Sequence, residues 1–349
     1  MQKIEKTMFY SWKLGRLAKG CRLCVQGRKS VLFITGICRS GCYYCPISDE
    51  KKNKDVVYIN EVPNAKEKDI INEIRLCSSK GAGITGGDPL ARINRTASII
   101  KKLKNDFGKS FHIHLYTPLN LATKENLKKL WCAGLDEIRF HPNIDDESLW
   151  DRIIYAKEYS WDIGAEIPAI PRKEKETKKL IDFIAPHISF LNINELEIAD
   201  NSCSRLIELG FAAKDNISYS VKGSEEMSKK LLGYCRIKNL NAHFCTARLK
   251  DRVQMAKRIR RRAKNIALPT DIITREGLLK RGAIYAGKVK LKNASPGFEH
   301  YYDKGKNRLL ASVKDVKKNA HELKKEGFRP AIVEEYPTYD AFIAECEFL

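Results

Sequence analysis

The sequence predicts an α/β protein: a partial or full TIM-like (β/α) barrel followed by a small α+β domain. Three observations carry this. Short apolar runs alternate with helical segments from Val31 to Cys245. The segments recur at the spacing of parallel strands joined by right-handed crossovers. Beyond Cys245 the chain turns strongly basic and then resumes as a separate short α/β pattern.

The elements read in order. VLFITG (Val31–Gly36) is a short buried strand. Residues 64–80 form a helix, with Asn64 as N-cap and Ile70, Ile71, Ile74 and Leu76 as its apolar stripe. Strand Ala82–Thr85, helix Arg95–Phe107 and strand Phe111–Thr117 follow. Helix Leu121–Ala133 ends at Gly134, a residue suited to the left-handed position after a helix. The pattern then gives strand Asp136–Pro142, helix Asp146–Tyr159, strand Asp162–Pro168 and helix Lys175–Ile184. Strand Ile188–Ile198, helix Asn201–Leu209, strand Asn216–Val221, helix Glu225–Cys235 and strand Asn239–Cys245 complete the barrel region. An arginine-rich helix covers Arg248–Lys264 and stops before Pro269. Strands over Gly277–Leu291, a helix over Val313–Glu326 and a strand over Arg329–Tyr336 make the small domain. The expected organisation is thus an N-terminal segment (1–30), a barrel (31–245), a basic helix (246–268) and a C-terminal domain (269–349).

Composition narrows the class. The 349 residues are 43% apolar and 31% charged, with a net charge of +21. This is a globular chain with no long disordered state and no repeat. No apolar run reaches the length of a bilayer span, so no membrane partner is expected. The N-terminal MQKIEKTMFYSWKLGR carries charges through any candidate signal core, so a cytoplasmic protein is expected. Eleven cysteines in such a chain are read as thiols or metal ligands.

Five of those cysteines fall between Cys21 and Cys45. Cys38-Arg-Ser-Gly-Cys42-Tyr-Tyr-Cys45 follows the first strand, at the end of the barrel where chemistry sits. Three thiolates at this spacing suit a [4Fe-4S] cluster with one iron left open for a further ligand. Gly86-Gly87-Asp88-Pro89 follows the second strand, and its glycines permit close backbone approach.

With its CxxxCxxC loop and aromatic Tyr44, the sequence resembles the radical S-adenosylmethionine (SAM) superfamily. CRLCVQGRKSVLFITGICRSGCYYCPISDE looks most like an archaeal branch related to pyruvate formate-lyase activating enzymes. The resemblance implies a radical SAM barrel in which Cys38, Cys42 and Cys45 hold the cluster. It implies that SAM chelates the open iron and is cleaved by one electron from a ferredoxin- or flavodoxin-type donor. A 5′-deoxyadenosyl radical then takes hydrogen from the substrate. Tyr44, Gly86, Gly87 and Asp88 match cofactor-lining positions, although Asp88 replaces the commoner Glu. Thr117, Glu166, Asn192 and Asn194 lie at strand ends where similar enzymes bind ribose and carboxylate. Arg139, His141 and Glu195 lie there too. His114 and His141 are expected to be satisfied histidines and not ligands.

Two features stand outside that motif. Cys21-Arg-Leu-Cys24 followed by glycine has the shape of a metal knuckle. Cys235 and Cys245, with His243 nearby, would complete a four-ligand site for zinc or an auxiliary iron–sulfur cluster; the alternative is ordinary reduced thiols. The arginine-rich helix, notably Arg258, Arg260, Arg261 and Arg262, suits a polyanion such as tRNA, or is a solvated face. Tyr301 and Tyr302 are candidates for base stacking. The sequence favours RNA modification. A protein-directed radical activase and a non-catalytic iron–sulfur protein stay open beside it.

Overall fold

The computed structural model describes residues 2–287, 291 and 296–349. The chain forms two compact units, Met1–Arg75 with Ser79–Met255, and Leu76–Ser78 with Ala256–Leu349. Among the described residues no helix is long and apolar enough to cross a membrane.

The first unit is built on seven parallel strands: β1 (Lys29–Phe33), β2 (Gly81–Thr85), β3 (His112–Pro118), β4 (Glu137–His141), β5 (Asp162–Ala169), β6 (Phe190–Glu195) and β7 (Asn241–Cys245). Each pairs in parallel with the next. The barrel is partial, because antiparallel strands occupy both edges. Tyr58–Ile59 pairs with β1, and Trp12–Leu14 pairs with β7. With those edges filled, β1 and β7 have no free ladder to offer each other.

Side chains alternate across the sheet with a period of two. Leu32, Ile84, Ile113, Leu115, Ile138, Phe140, Leu191, Ile193 and Phe244 are buried in one apolar core. It includes residues of α2 (Glu67–Leu76), α3 (Ile93–Phe107), α4 (Lys124–Ala133), α5 (Glu174–Ile184) and α6 (Ser224–Ile237). The opposite face carries His112, His114, Glu137, Arg139, Glu166, Asn192 and His243, an unusually polar strand surface. Against it sits α1 (Lys19–Val25), where the sequence pattern indicates only a knuckle. The Gly20 amide donates to Glu137 Oε2 at 3.0 Å. A Cβ on Gly20 would lie 2.5 Å from Arg139 Nη2 and 2.6 Å from His114 Nδ1, so only glycine seats the helix there.

Several boundaries differ from expectation for local reasons. Asn64 is left-handed (φ +49°) and cannot cap, so α2 starts at Glu67. Thr123 caps α4 by accepting from the Asn126 amide, and Gly134 (φ +97°) ends it. The run expected as a helix from Asp146 is a 3-10 helix, Trp150–Glu158. No helix forms over Asn201–Leu209: the Asn201 side chain accepts from the Cys203 and Ser204 amides, an Asx turn that competes with helix. Asn216–Val221 contributes only isolated bridges, Glu197 with Ser220 and Ala213 with Val221.

The expected basic helix is broken. A short turn, Ala247–Leu249, leads into π-helical Lys250–Met255 and then α7 (Ala256–Ile266). The second unit continues with β8 (Leu279–Tyr285), β9 (His300–Asp303), β10 (Arg308–Ala311), α8 (Val313–Lys318), α9 (Ala320–Lys325), β11 (Arg329–Glu335) and β12 (Ile343–Phe348). These five strands run antiparallel in the order β9-β10-β8-β11-β12, and a sixth short strand, Ile272–Ile273, pairs antiparallel with β8. The expected single helix Val313–Glu326 is therefore two, parted at Asn319. The expected strand region to Leu291 runs partly onto residues 288–290, outside those described.

Candidate active site

The cysteine loop leaves β1 as an extension of the sheet. The Ile34 amide donates to Thr85 O at 2.9 Å, Gly87 N to Thr35 O at 2.7 Å and Asp88 N to Ile37 O at 2.8 Å. These bonds bring the loop and the Gly86-Gly87 turn into backbone contact. A Cβ on Gly87 would lie 2.6 Å from Ile37 O and 2.7 Å from Gly36 O. The glycines are needed first for this approach.

Cys38, Cys42 and Cys45 line one cavity of about 1100 Å³. Burial, then the neighbouring Cys38, push the Cys42 thiol up. Among the described residues no three Cys, His, Asp or Glu side chains converge on one ion position. A four-iron cluster spreads its thiolate ligands over separate irons, so three thiols around one roomy cavity fit such a group.

The opposite wall comes from the strand ends, including Tyr116, Thr117, His141, Glu166 and Asn194. Glu166 anchors it. Its Oε2 accepts from Arg139 Nη1 and Asn192 Nδ2, each at 3.0 Å, and its Oε1 accepts from Asn194 Nδ2 at 2.9 Å. Burial pushes this carboxyl up, but the Arg139 charge and the two amides outweigh it and hold it below the usual range. Arg139 also donates to Glu137 Oε1 at 2.6 Å and to the Tyr116 hydroxyl at 3.1 Å. The wall is thus a buried anionic acceptor held by a cation, with amide groups oriented around it.

Of the expected cofactor residues, Tyr44, Gly86, Gly87, Thr117, Glu166 and Asn194 line this cavity with the cysteines. Asn192 lies behind it, with its amide nitrogen 3.2 Å from Cys21 Sγ. Asp88 is turned away and only 2% exposed. Its Oδ1 accepts from the Leu90 amide at 3.0 Å and the Thr117 hydroxyl at 2.9 Å. Burial raises its carboxyl to about 6. Asp88 and Thr117 therefore occupy each other. Glu195 accepts from the Ala247 amide at 2.9 Å.

The sequence reading missed Lys250 and Glu197, an ion pair on the cavity wall. It also missed the loop between β6 and α6, whose Asn201 donates to Cys45 O and Ile47 O at 3.0 Å each. The π-helical turn that carries Lys250 leaves no mark in apolar periodicity; such turns are frequent at functional sites.

The four-cysteine second site is not assembled. Cys21 and Cys24 ride on α1, against the polar strand face, and Cys245 ends β7. Cys235 is fully buried in α6, in the apolar core on the other face, so the sheet lies between it and α1. Burial pushes the Cys24 and Cys235 thiols up to about 12. The basic face is also incomplete. Arg258 and Arg262 are buried, and Arg262 donates to Pro337 O, whereas Arg260 is exposed and Arg261 half-buried. The Tyr302 hydroxyl donates to Asn307 Oδ1 at 2.9 Å.

Comparison with known proteins bears on this site directly. The family profile described as Radical SAM superfamily matches residues 32–166, from β1 to the Glu166 wall. A Methanocaldococcus jannaschii protein named as a glycyl-radical enzyme activating enzyme is 45% identical over 291 residues, covering 81% of this chain and 76% of that one. Among solved structures, methylornithine synthase aligns at TM-score 0.42 and 13% identity, over 63% of this chain and 70% of that one. A radical SAM methyltransferase from Kitasatospora setae aligns at TM-score 0.35 and 11% identity, over 48% and 36%. Likenesses that distant carry no argument about this chain. The close relative, the profile and the cysteine-lined cavity agree: this chain belongs to the radical SAM superfamily, beside an archaeal glycyl-radical enzyme activating enzyme.

Proposed function

We propose that this radical SAM enzyme is a protein-directed activase, which abstracts hydrogen from a partner polypeptide. The observation that carries the reading is the 45% identity to a protein named for activating a glycyl-radical enzyme. RNA, favoured on sequence, has weaker support, because two of its four nominated arginines are buried. In this reading Cys38, Cys42 and Cys45 hold the cluster. When bound, the cluster and SAM supply one-electron cleavage of the sulfonium and a hydrogen-abstracting 5′-deoxyadenosyl radical. The electron comes from a ferredoxin- or flavodoxin-type donor. The Gly86-Gly87 backbone, Glu166 and Asn194, which line the cavity, would hold the amine and hydroxyl groups of SAM. Glu166, kept ionised by Arg139, suits a cationic or hydroxyl donor.

The test is anaerobic reconstitution with iron and sulfide, then dithionite and SAM, with 5′-deoxyadenosine assayed alone, with bulk tRNA, and with a co-expressed glycyl-radical enzyme from the same genome. Low-temperature electron paramagnetic resonance (EPR) follows the partner. A glycyl radical on the partner, absent with Cys38→Ala, Cys42→Ala or Cys45→Ala, supports the activase. Product that rises with tRNA and never with protein overturns it.

A further inference from the structure

Tyr44 precedes the third cysteine, and its hydroxyl lies 3.0 Å from His141 Nε2. On the other side of the ring, His141 Nδ1 lies 2.7 Å from the Glu166 carbonyl oxygen. A carbonyl only accepts, so this bond assigns the ring proton to Nδ1. Nε2 then has a lone pair, and Tyr44 O–H donates to it. The result is a directed chain of hydrogen bonds from the cysteine loop, through the end of β4, to the backbone of β5. The two rings also pack edge to face, with centroids 5.9 Å apart.

The loop is braced from another element as well. Asn201 donates to Cys45 O and Ile47 O, and the Arg205 amide donates to Tyr43 O at 2.8 Å. Inside the loop, the Cys45 amide donates to Cys42 O at 3.1 Å. The Cys42–Cys45 turn thus has one backbone bond of its own and a side-chain interaction between Tyr44 and Cys42, and takes further support from outside. Tyr44 reaches the end of β4 through its hydroxyl, while Tyr43 packs against the apolar core.

We propose that His141 is a positioning residue: through the Tyr44 hydroxyl it fixes the Cys42–Cys45 turn against β4 and β5, and so sets how tightly and in what orientation the cluster is held. This rests on the cysteine triad as cluster ligands and is independent of the substrate class. His141 also lines the cavity, so direct contact with a bound group is the competing role. A double-mutant cycle separates the two, because a residue acting only through the Tyr44 hydroxyl has nothing to act on once that hydroxyl is gone.

The experiment uses the full chain, reconstituted anaerobically, as wild type, Tyr44→Phe, His141→Phe, the double variant and His141→Gln. One readout is the rate of iron release to a chelator. The other is the EPR signal of the reduced cluster with and without SAM. Loss of a hydrogen bond of ordinary strength predicts iron release roughly three- to tenfold faster in each single variant. The double variant should be no faster than either single one, with the same altered EPR line shape. His141→Gln, whose amide oxygen can take the place of Nε2, should recover much of the wild-type rate. Multiplying effects in the double variant would overturn the proposal in favour of direct contact. Should His141→Phe fail to fold, His141→Asn takes its place in the cycle, since its amide can hold the Glu166 carbonyl but is too short to reach the Tyr44 hydroxyl. Wild-type iron release and EPR in Tyr44→Phe would overturn the proposal.

Discussion

Replacing Asp88 by Asn separates two roles for the Gly-Gly-Asp-Pro carboxyl: a contact to the cofactor, or an internal cap. The structure has it bonded to Leu90 N and Thr117 Oγ1 in a buried position. Burial raises its pKa from 3.8 to about 6. The folded chain therefore binds this proton more readily than the unfolded chain does. Stability from this group is fully present below pH 3.8 and lost as pH rises through 6. A tenfold change in proton affinity is worth about 1.4 kcal/mol, so the ionised carboxyl costs the fold about 3 kcal/mol at neutral pH. Asn keeps the Oδ1 acceptor without the charge. Its amide NH₂ needs partners of its own, which reduces the gain to about 1–2 kcal/mol. All four tryptophans, Trp12, Trp131, Trp150 and Trp161, lie in the first unit, so urea unfolding followed by their fluorescence reports that unit alone. Apo Asp88→Asn should be the more stable chain at pH 7.5, and the advantage should shrink toward zero at pH 4. SAM affinity of the reconstituted protein should stay within about threefold of wild type, less than one hydrogen bond to a charged group is worth. An advantage independent of pH would refute the burial argument. Loss of SAM binding would refute the cap and restore the carboxyl to the cofactor.

Other outcomes follow from the same geometry. Gly87→Ala places a Cβ 2.6 Å from Ile37 O, where ordinary contact begins at 3.4 Å, so the backbone at the base of the cysteine loop has to shift. It should cost about 1–3 kcal/mol in tryptophan-monitored unfolding and lower iron per chain; unchanged iron would show the contact to be slack. Arg139→Met leaves Glu137 and Glu166 buried without their cation and should cost about 3–5 kcal/mol; a loss under 1 kcal/mol would mean that water reaches them. Cys235→Ala should leave metal per chain unchanged and cost about 1 kcal/mol, as loss of a core contact does. A drop in bound metal would return Cys235 to a ligand role.

The seven parallel strands were legible because buried apolar residues recur along each, as at Leu32 and at Ile113 and Leu115, whereas the expected strand Asn216–Val221 did not form. The grouping of Cys38, Cys42 and Cys45 around one cavity was legible because the three are local in sequence. Contacts set by tertiary approach were not. Cys235 and Cys245 looked equivalent as unassigned thiols, yet one lies on a helix under the sheet and the other ends a strand. Asp88 looked like a ligand because nothing in sequence shows Thr117 coming within 2.9 Å of it. Arg258 and Arg262, four apart, share one side of α7, and the fold buries that side. The helix expected at Asn201 gave way to that side chain's own backbone bonds and to its hold on the cysteine loop.

The continuation of the β1–β2 ladder past the strands gives the three cysteines unequal starting points. The last of its bonds, Asp88 N to Ile37 O, ends one residue before Cys38. Cys38 is therefore presented by backbone that continues the ladder, while Cys42 and Cys45 sit on a turn outside it, held by one internal backbone bond and by contacts from Asn201 and Arg205. Ordering a residue's backbone costs about 1–2 kcal/mol in entropy, so the thiol on the pre-ordered segment gives up least on capturing iron. With the three cysteines as cluster ligands, this difference in backbone order predicts that iron is captured at Cys38 first and that the Cys42–Cys45 turn closes afterwards.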